Sequence, residues 1–398
     1  MAKIGIDARM MGPKMATGVG LYIEKLINYY SGLNSDHEFV VFVKPENVAI
    51  VPKSPNIKTV LTKAHWYTYQ EQTTFLLQLI YEKLDLVHFP NFNFPILYPK
   101  PFIITIHDLT AFKFPGHKMR SKFRKTIFNL VFKLGLKKAS KIIAISGYTK
   151  SDIISNFNTN SDKIEVIYQG VEKVHNLELK SDKIDVTLAR FHITKPYILY
   201  VGVQRNHKNI IGLIKSFIEL KKTHDIQLVI GGAKNKHYPE MESFINSINF
   251  EIKKDIIRTD YLENNDLNHL YSSALAYVVP SFEEGFGLNG LEAMSFGIPV
   301  VSSNSSSLPE IYKNAAKYFD PYQVTDITNS VREVISNQNL RDSLINAGFQ
   351  RIKDFDWTNT TSRTLSLYEE TLLRLSSQKK NAISQAKKDF NHGKEDKG

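Results

Sequence analysis

Two glutamates, Glu284 and Glu292, stand with seven residues between them, and the intervening run opens Gly285-Phe286-Gly287-Leu288. The apolar stretch 274–279 before them predicts a buried strand ending at Pro280, and 288–296 predicts a helix. An acidic, glycine-rich loop is thus delivered to a new helix. Gly285 and Gly287 let the backbone approach a ligand closely, and free N–H groups at a helix start favour an anion. Glu284 lies in the loop and Glu292 about a turn into the helix, so both address one ligand from different ends. Amides for phosphate and carboxylates for hydroxyls suit a nucleotide-sugar. A Gly-x-Gly alone equally fits a plain strand–turn–helix with solvated glutamates.

Other residues of the same chemical character sit at predicted strand ends. Arg205 and Lys208 follow the strand 197–203 and precede the helix 209–220. Cations placed there suit a nucleoside diphosphate leaving group, on which negative charge builds in the transition state. Gly18 and Gly20 lie in a generic strand-to-helix turn after the strand 3–8, His107-Asp108 end the strand 102–107, and Ser146 ends the next. The histidines show no metal-ligand spacing.

Positioning these residues requires two alternating β/α halves. Strands are predicted at 3–8, 39–43, 86–89, 102–107, 141–146 and 164–168, with helices at 21–30, 118–138 and 148–157. After the polar stretch 171–195 the alternation restarts, with strands at 197–203, 227–230, 256–259, 274–279 and 300–302. Helices are predicted at 209–220, 238–248, 265–271, 288–296 and 324–336. Two doubly wound α/β domains, 1–180 and 190–356, are expected to face across a cleft. One further helix is expected at 357–376 and a flexible basic tail at 377–398.

Composition narrows the class. The 398 residues contain no cysteine, which excludes disulfides, zinc-thiolate sites, iron–sulfur clusters and cysteine nucleophiles. Lys3, Asp7 and Arg9 interrupt any signal-peptide core, and no window approaches the ~18–20 apolar residues of a membrane span. A cytoplasmic protein is expected, peripheral at most on the inner face of the cell membrane. The net charge of +11 is local, because residues 109–151 hold eleven Lys/Arg and no Asp or Glu.

The full string from Val279 to Val301 resembles the signature of the family 4 retaining glycosyltransferases of the GT-B fold. The resemblance continues through Leu308-Pro-Glu310, Tyr200 to Asn209, Thr17-Gly18-Val19-Gly20, the mannosyltransferase-like pair His107-Asp108, and Phe355-Asp-Trp357. Asn289 departs from it, standing where the family usually has proline, and is expected to loosen the turn. The resemblance implies sugar transfer from a nucleoside diphosphate to a hydroxyl with retention. It implies that Glu292 takes the donor's ribose hydroxyls, while Glu284 holds sugar hydroxyls or balances oxocarbenium-like charge. Gly285, Phe286, Gly287 and Leu288 would line the sugar. Lys208, Arg205, Gly18 and Gly20 would hold the diphosphate, and His107 and Asp108 would meet the donor sugar or acceptor. Front-side attack, with the departing phosphate taking the acceptor's proton, is the family's preferred course, so no nucleophile is assigned. The resemblance also implies that 1–180 is the acceptor side, that 190–356 carries the nucleotide-sugar, and that the C-terminal helix is a crossover helix bracing the first domain.

The donor is expected to be GDP-mannose, with a UDP-sugar as runner-up, and the acceptor a lipid-linked or polysaccharide glycan. No cofactor beyond this co-substrate is expected, and no metal: Asp354-Phe-Asp356 reads as a helix-start signal. Trp66, Tyr67, Tyr69, Phe92 and Phe94 either stack on acceptor or pack in the core. A nucleotide-sugar 2-epimerase shares the architecture and stays as an alternative, as does a non-catalytic nucleotide-sugar binder. Lys118, Arg120, Lys122, Arg124 and Lys125 crowd the start of a helix whose apolar residues include Phe123, Ile127, Leu130 and Leu134. Such a helix docks on anionic lipid, at about 1 kcal/mol per basic residue, or simply turns a solvated face outward. A nucleic-acid role fits this distribution poorly.

Overall fold

The strand segments are short, β-branched and apolar on both sides, and parallel pairing with helical crossovers buries both faces of such strands. A computed structural model describes residues 1–12, 18–116, 121–172, 181–235, 237–260 and 262–395, with side chains through 381 and at 384. The first half runs β1 (Lys3–Asp7), α1 (Gly18–Ser31), β2 (Glu38–Val43), β3 (Ile57–Leu61), α2 (Leu76–Tyr81), β4 (Leu86–Phe89), β5 (Phe102–Ile106), α3 (Thr110–Lys113), α4 (Lys122–Lys138), β6 (Lys141–Ala144), α5 (Gly147–Phe157) and β7 (Ile164–Val166). These strands pair in parallel in the order β3-β2-β1-β4-β5-β6-β7.

After α6 (Ser181–Arg190), the second half runs β8 (Tyr197–Val201), α7 (Ile210–Leu220), β9 (Gln227–Gly231), α8 (Pro239–Ser247), α9 (Phe250–Lys253), β10 (Ile256–Asp260), α10 (Asn264–Ser273), β11 (Ala276–Val279), α11 (Leu288–Ser295), β12 (Val300–Ser303), α12 (Leu308–Tyr312), β13 (Ala316–Phe319), α13 (Val324–Ser336), α14 (Gln338–Arg351) and α15 (Trp357–Glu395). Its parallel sheet has the order β10-β9-β8-β11-β12-β13. In each sheet the order reverses once, at β1/β4 and at β8/β11. Such switch points open a crevice beyond the strands' carboxyl ends.

Alternate residues of the first sheet face opposite cores. Phe102, Ile104 and Ile106 of β5 join Phe75 and Leu79 at α2, Phe132 and Leu136 of α4, and Ile153 of α5. Ile103 of the same strand joins Tyr22, Leu26 and Tyr30 of α1 with Trp357, Leu367 and Tyr368 of α15. So α2, α4 and α5 cover one face, and α1 and α15 the other.

α15 does cross back to the first domain. Its Thr360 hydroxyl donates to the Tyr168 carbonyl at 2.7 Å, Arg363 pairs with Glu165 at 2.7 Å, and the Tyr368 hydroxyl bonds buried His88 Nδ1 at 2.5 Å. The helix continues to Glu395, with no boundary at 376, where the flexible tail is expected to begin. From Trp357 to Asn391 there is neither proline nor glycine to stop it, and Gln, Lys and Ala propagate a helix well. The polar stretch between the halves contains α6, whose Thr187 hydroxyl bonds His269 Nδ1 of α10 at 2.8 Å, tying it to the second sheet's helices.

Edge strands β3 and β13, and helices α2 and α14, escaped the periodicity reading. β3 exposes most of its side chains. Among the described residues no helix is long and apolar enough to cross a membrane.

Tyr368→Phe strands the buried His88 nitrogen without its partner. It should lower stability to urea by about 1–3 kcal/mol; an unchanged unfolding midpoint would contradict the bracing role of α15.

Candidate active site

The glycine-rich loop follows β11 and the cationic turn follows β8, so both lie at the second sheet's switch point. The two loops are sewn together. The Phe282 amide donates to the His207 carbonyl at 2.8 Å, and Lys208 Nζ donates to Glu284 Oε1 at 2.6 Å. Ser281 Oγ donates to the same oxygen at 2.8 Å. The backbone of Glu284 is gripped from the loop after β12: its amide donates to Ser306 Oγ, and Ser307 Oγ donates to its carbonyl, each at 2.9 Å. A carboxylate and an ammonium therefore stand side by side, both partly exposed to the cleft. Arg205 is exposed next to them, and burial with the nearby Lys208 charge holds His207 neutral, its pKa pushed down to about 4.

Gly287 has φ +88° and caps α11, and a Cβ there would stand 2.4 Å from the Tyr312 hydroxyl, which donates to the Gly287 carbonyl. A side chain at this position would be strained and crowded at once. The Phe286 ring is buried against Tyr168 and Phe355, so the side chain anchors the loop and leaves its backbone to the cleft. Leu288 begins α11 and packs partly buried on the same core. Asn289 fastens the turn it was expected to loosen, because its side-chain amide donates to the Val201 carbonyl at the end of β8, at 3.1 Å. One turn further, Glu292 has its pKa raised to about 7 by burial, with the Tyr271 hydroxyl 3.4 Å away easing it slightly.

The first domain meets this loop directly. A Cβ on Gly285 would lie 2.0 Å from the His107 carbonyl oxygen, and Ser146 Oγ donates to the Gly285 carbonyl at 2.9 Å. The sequence placed His107 and Ser146 at neighbouring strand ends, and the structure brings both onto the glycine loop. His107 Nε2 bonds the Pro90 carbonyl at 2.8 Å, so that nitrogen carries the proton, and Nδ1 accepts from the Gln169 amide at 3.2 Å. Burial lowers its pKa. With both ring nitrogens engaged, the imidazole is held in one orientation beside the glycine loop. Asp108 is exposed, with Oδ1 accepting the Thr110 amide at 2.8 Å, and its charge reaches His207 across the cleft.

Two ion clusters clamp the domains beside this contact. Glu310 accepts the Gly147 and Tyr148 amides at the start of α5, at 2.6 and 2.8 Å, and the Tyr168 hydroxyl at 2.8 Å. Lys113 bonds Glu283 at 3.0 Å, Asp152 at 2.8 Å and the Tyr148 hydroxyl at 2.7 Å. Residues missed by the sequence reading therefore include Ser281, Ser306, Ser307, Gln169 and Glu283. The serine run 302–307 was a visible signal, whereas Gln169 and Glu283 become meaningful only once the domains meet.

Gly18 opens α1 with open space where a side chain would be, and Gly20 is buried in its first turn. Thr17, Lys118 and Arg120 lie outside the described residues. Lys122, Arg124 and Lys125 are exposed at the start of α4. Of the candidate acceptor aromatics, Phe94 is fully buried and Phe92 packs on Phe128 and Phe132, while Tyr67 and Tyr69 are exposed. Asp356 Oδ1 accepts the Thr358 amide at 2.9 Å, as a helix-start residue does.

The family model described as glycosyl transferases group 1 matches residues 189–351, and that of glycosyltransferase family 4 matches residues 16–173. The chain is 29% identical over 288 residues to the O-antigen chain mannosyltransferase B of Escherichia coli, covering 71% of this chain and 74% of that protein. It is 27% identical over 285 residues to the O-antigen chain mannosyltransferase RfbU of Salmonella typhimurium, covering 71% and 73%. Sucrose-phosphate synthase from Thermosynechococcus elongatus superposes with a TM-score of 0.75 at 17% identity, over 94% of this chain and all of that one.

Gly285→Ala places a methyl group against the His107 carbonyl and should cut transfer by about 10- to 100-fold, as forcing the loops apart costs ~1–3 kcal/mol. Circular dichroism should show the fold retained; full activity would mean that the close approach is dispensable. With both halves of the chain matched in order and the two-sheet architecture shared, this protein belongs to glycosyltransferase family 4 and has the GT-B fold.

Proposed function

We propose that this glycosyltransferase moves mannose from a nucleotide-linked donor, GDP-mannose, onto a hydroxyl of a lipid-linked or polysaccharide glycan, with retention at the anomeric carbon. The observation that carries the reading is the Lys208–Glu284 pair at 2.6 Å, held at the switch point above the start of α11. A cation next to a helix N-terminus answers the charge that builds on a departing diphosphate, and a carboxylate beside it answers the positive charge that builds on the sugar ring. The mannosyl choice is supported by the two O-antigen mannosyltransferases among the relatives.

Within this reading the diphosphate lies along Lys208, Arg205 and the start of α1 at Gly18 and Gly20, and Glu292 receives the ribose hydroxyls. The Phe286 and Gly287 amides meet the sugar, Glu284 faces its reacting ring, and Asp108 reaches it from the first domain. The chain works at the inner face of the cell membrane, with α4 on anionic lipid. Exposed Lys122, Arg124 and Lys125 beside exposed Phe123, Ile127 and Leu130 support that placement.

Lys208→Ala should reduce transfer by about 100- to 1,000-fold, the scale for removing one preorganised electrostatic partner. The assay is release of nucleoside diphosphate from GDP-mannose, GDP-glucose, UDP-glucose and UDP-galactose with a glycan acceptor extract. Comparable turnover of all four would remove the preference for GDP-mannose.

Glu292 supplies a pH test. Hydroxyl donors prefer the carboxylate, which in the free protein forms as pH rises through about 7. Nucleotide affinity should therefore be flat above that range and weaken below it, approaching tenfold per pH unit. Calorimetric titration at several pH values checks this, and Glu292→Gln should bind more weakly with that pH dependence gone.

A further inference from the structure

The outer side of α2 has the same character as the outer side of α4, although it carries no charge. Leu77 is 66% exposed, Tyr81 82% and Ile80 43%, while Phe75 and Leu79 are fully buried. Residues 72–81 contain no charged side chain. A solvated helix ordinarily carries polar residues on its outward side; here that side is apolar over its full length. α4 exposes Phe123 at 73%, Leu130 at 52% and Ile127 at 43%, interleaved with Lys122, Arg124 and Lys125.

These two faces look the same way. Phe75, Leu79, Phe132 and Leu136 pack into one core cluster on a single face of the first sheet, so the opposite sides of both helices point out from that face. The loop between β4 and β5 links them: the Gln72 amide donates to the Phe94 carbonyl at 3.2 Å and Lys138 Nζ to the Ile96 carbonyl at 2.7 Å. Leu97, which follows the second of these anchors, is 75% exposed.

We propose that α2 is a second docking helix, inserting Leu77, Ile80 and Tyr81 into the same anionic bilayer that α4 contacts. The inference rests on the membrane placement proposed above for α4 and adds a division of labour. α4 lies in the acid-free stretch 109–151 and supplies attraction to anionic headgroups, which salt screens. α2 supplies apolar insertion, which salt leaves intact. Two contacts on one rigid domain fix its orientation on the surface, whereas one helix alone leaves it free to roll.

The test is co-sedimentation of the full chain with phosphatidylglycerol/phosphatidylcholine vesicles and with pure phosphatidylcholine vesicles, at low salt and at about 0.5 M salt. The triple variant Leu77→Ser, Ile80→Ser, Tyr81→Ser should lose roughly 10- to 100-fold in partitioning to anionic vesicles. It should lose the salt-resistant remainder altogether and keep wild-type nucleotide affinity. Lys122→Gln, Arg124→Gln, Lys125→Gln should abolish the preference for anionic lipid. Tyr81→Trp should show a blue-shifted emission increment when anionic vesicles are added. If the α4 variant loses binding while the α2 serine variant binds like wild type and the emission of Tyr81→Trp stays put, the second helix is wrong and the membrane placement stands. Failure of the wild type to bind anionic vesicles, or an α4 variant that binds unchanged, overturns both. A wild-type dimer in light scattering that the serine variant dissociates, with vesicle binding retained, would make the α2 face a contact between copies and overturn the inference.

Discussion

A missing side chain at Gly285 allows the two halves of this enzyme to touch where chemistry is expected. The loop after β11 leaves the second sheet, reaches the carboxyl ends of β5 and β6 in the first, and presses its backbone on the His107 carbonyl with no room for a methyl group. Ser146 closes the contact by a hydrogen bond to the Gly285 carbonyl, and Glu310 and Lys113 clamp either side. Much of what surrounds the site serves this approach. Phe286 is buried to hold the loop, Gly287 turns it into α11 through a left-handed conformation, and Ser306 and Ser307 grip the backbone of Glu284. Buried, fully partnered polar contacts of this kind specify one arrangement of two domains more sharply than apolar packing alone.

Electrostatics then distinguishes the two glutamates that frame the loop. Glu284 is paired with Lys208 and Ser281, whereas burial raises the pKa of Glu292 to about 7. Two carboxylates of one motif thereby stand in different electrostatic surroundings. His107 is likewise oriented by its surroundings, with one ring nitrogen bonded to the Pro90 carbonyl and the other to the Gln169 amide.

The sequence carried the architecture well because each signal was local. Short, continuous apolar runs marked the central strands, and the pattern of Glu284, Gly285, Gly287 and Glu292 marked the loop that matters. Edge strand β3 was illegible because an edge needs no apolar face on both sides, and α2 because its outer side is as apolar as its inner side, which erases the helical period. Gln169, Glu283 and the restraint on His107 were illegible for another reason: their partners lie 62, 170 and 17 residues away, so no window contains them. The continuation of α15 past residue 376 was illegible because its few apolar residues leave no helical period to read.

Under the proposed function this site passes a mannosyl group from donor to a second molecule. Carbon-13 NMR of GDP-mannose labelled at the anomeric carbon, incubated with the enzyme with and without glycan acceptor, reads that transfer directly. The donor signal should persist without acceptor. With acceptor it should give way to a glycoside signal of the same anomeric configuration, with GDP released in equal amount. An epimerised sugar nucleotide appearing without acceptor, or a product of inverted configuration, would contradict it.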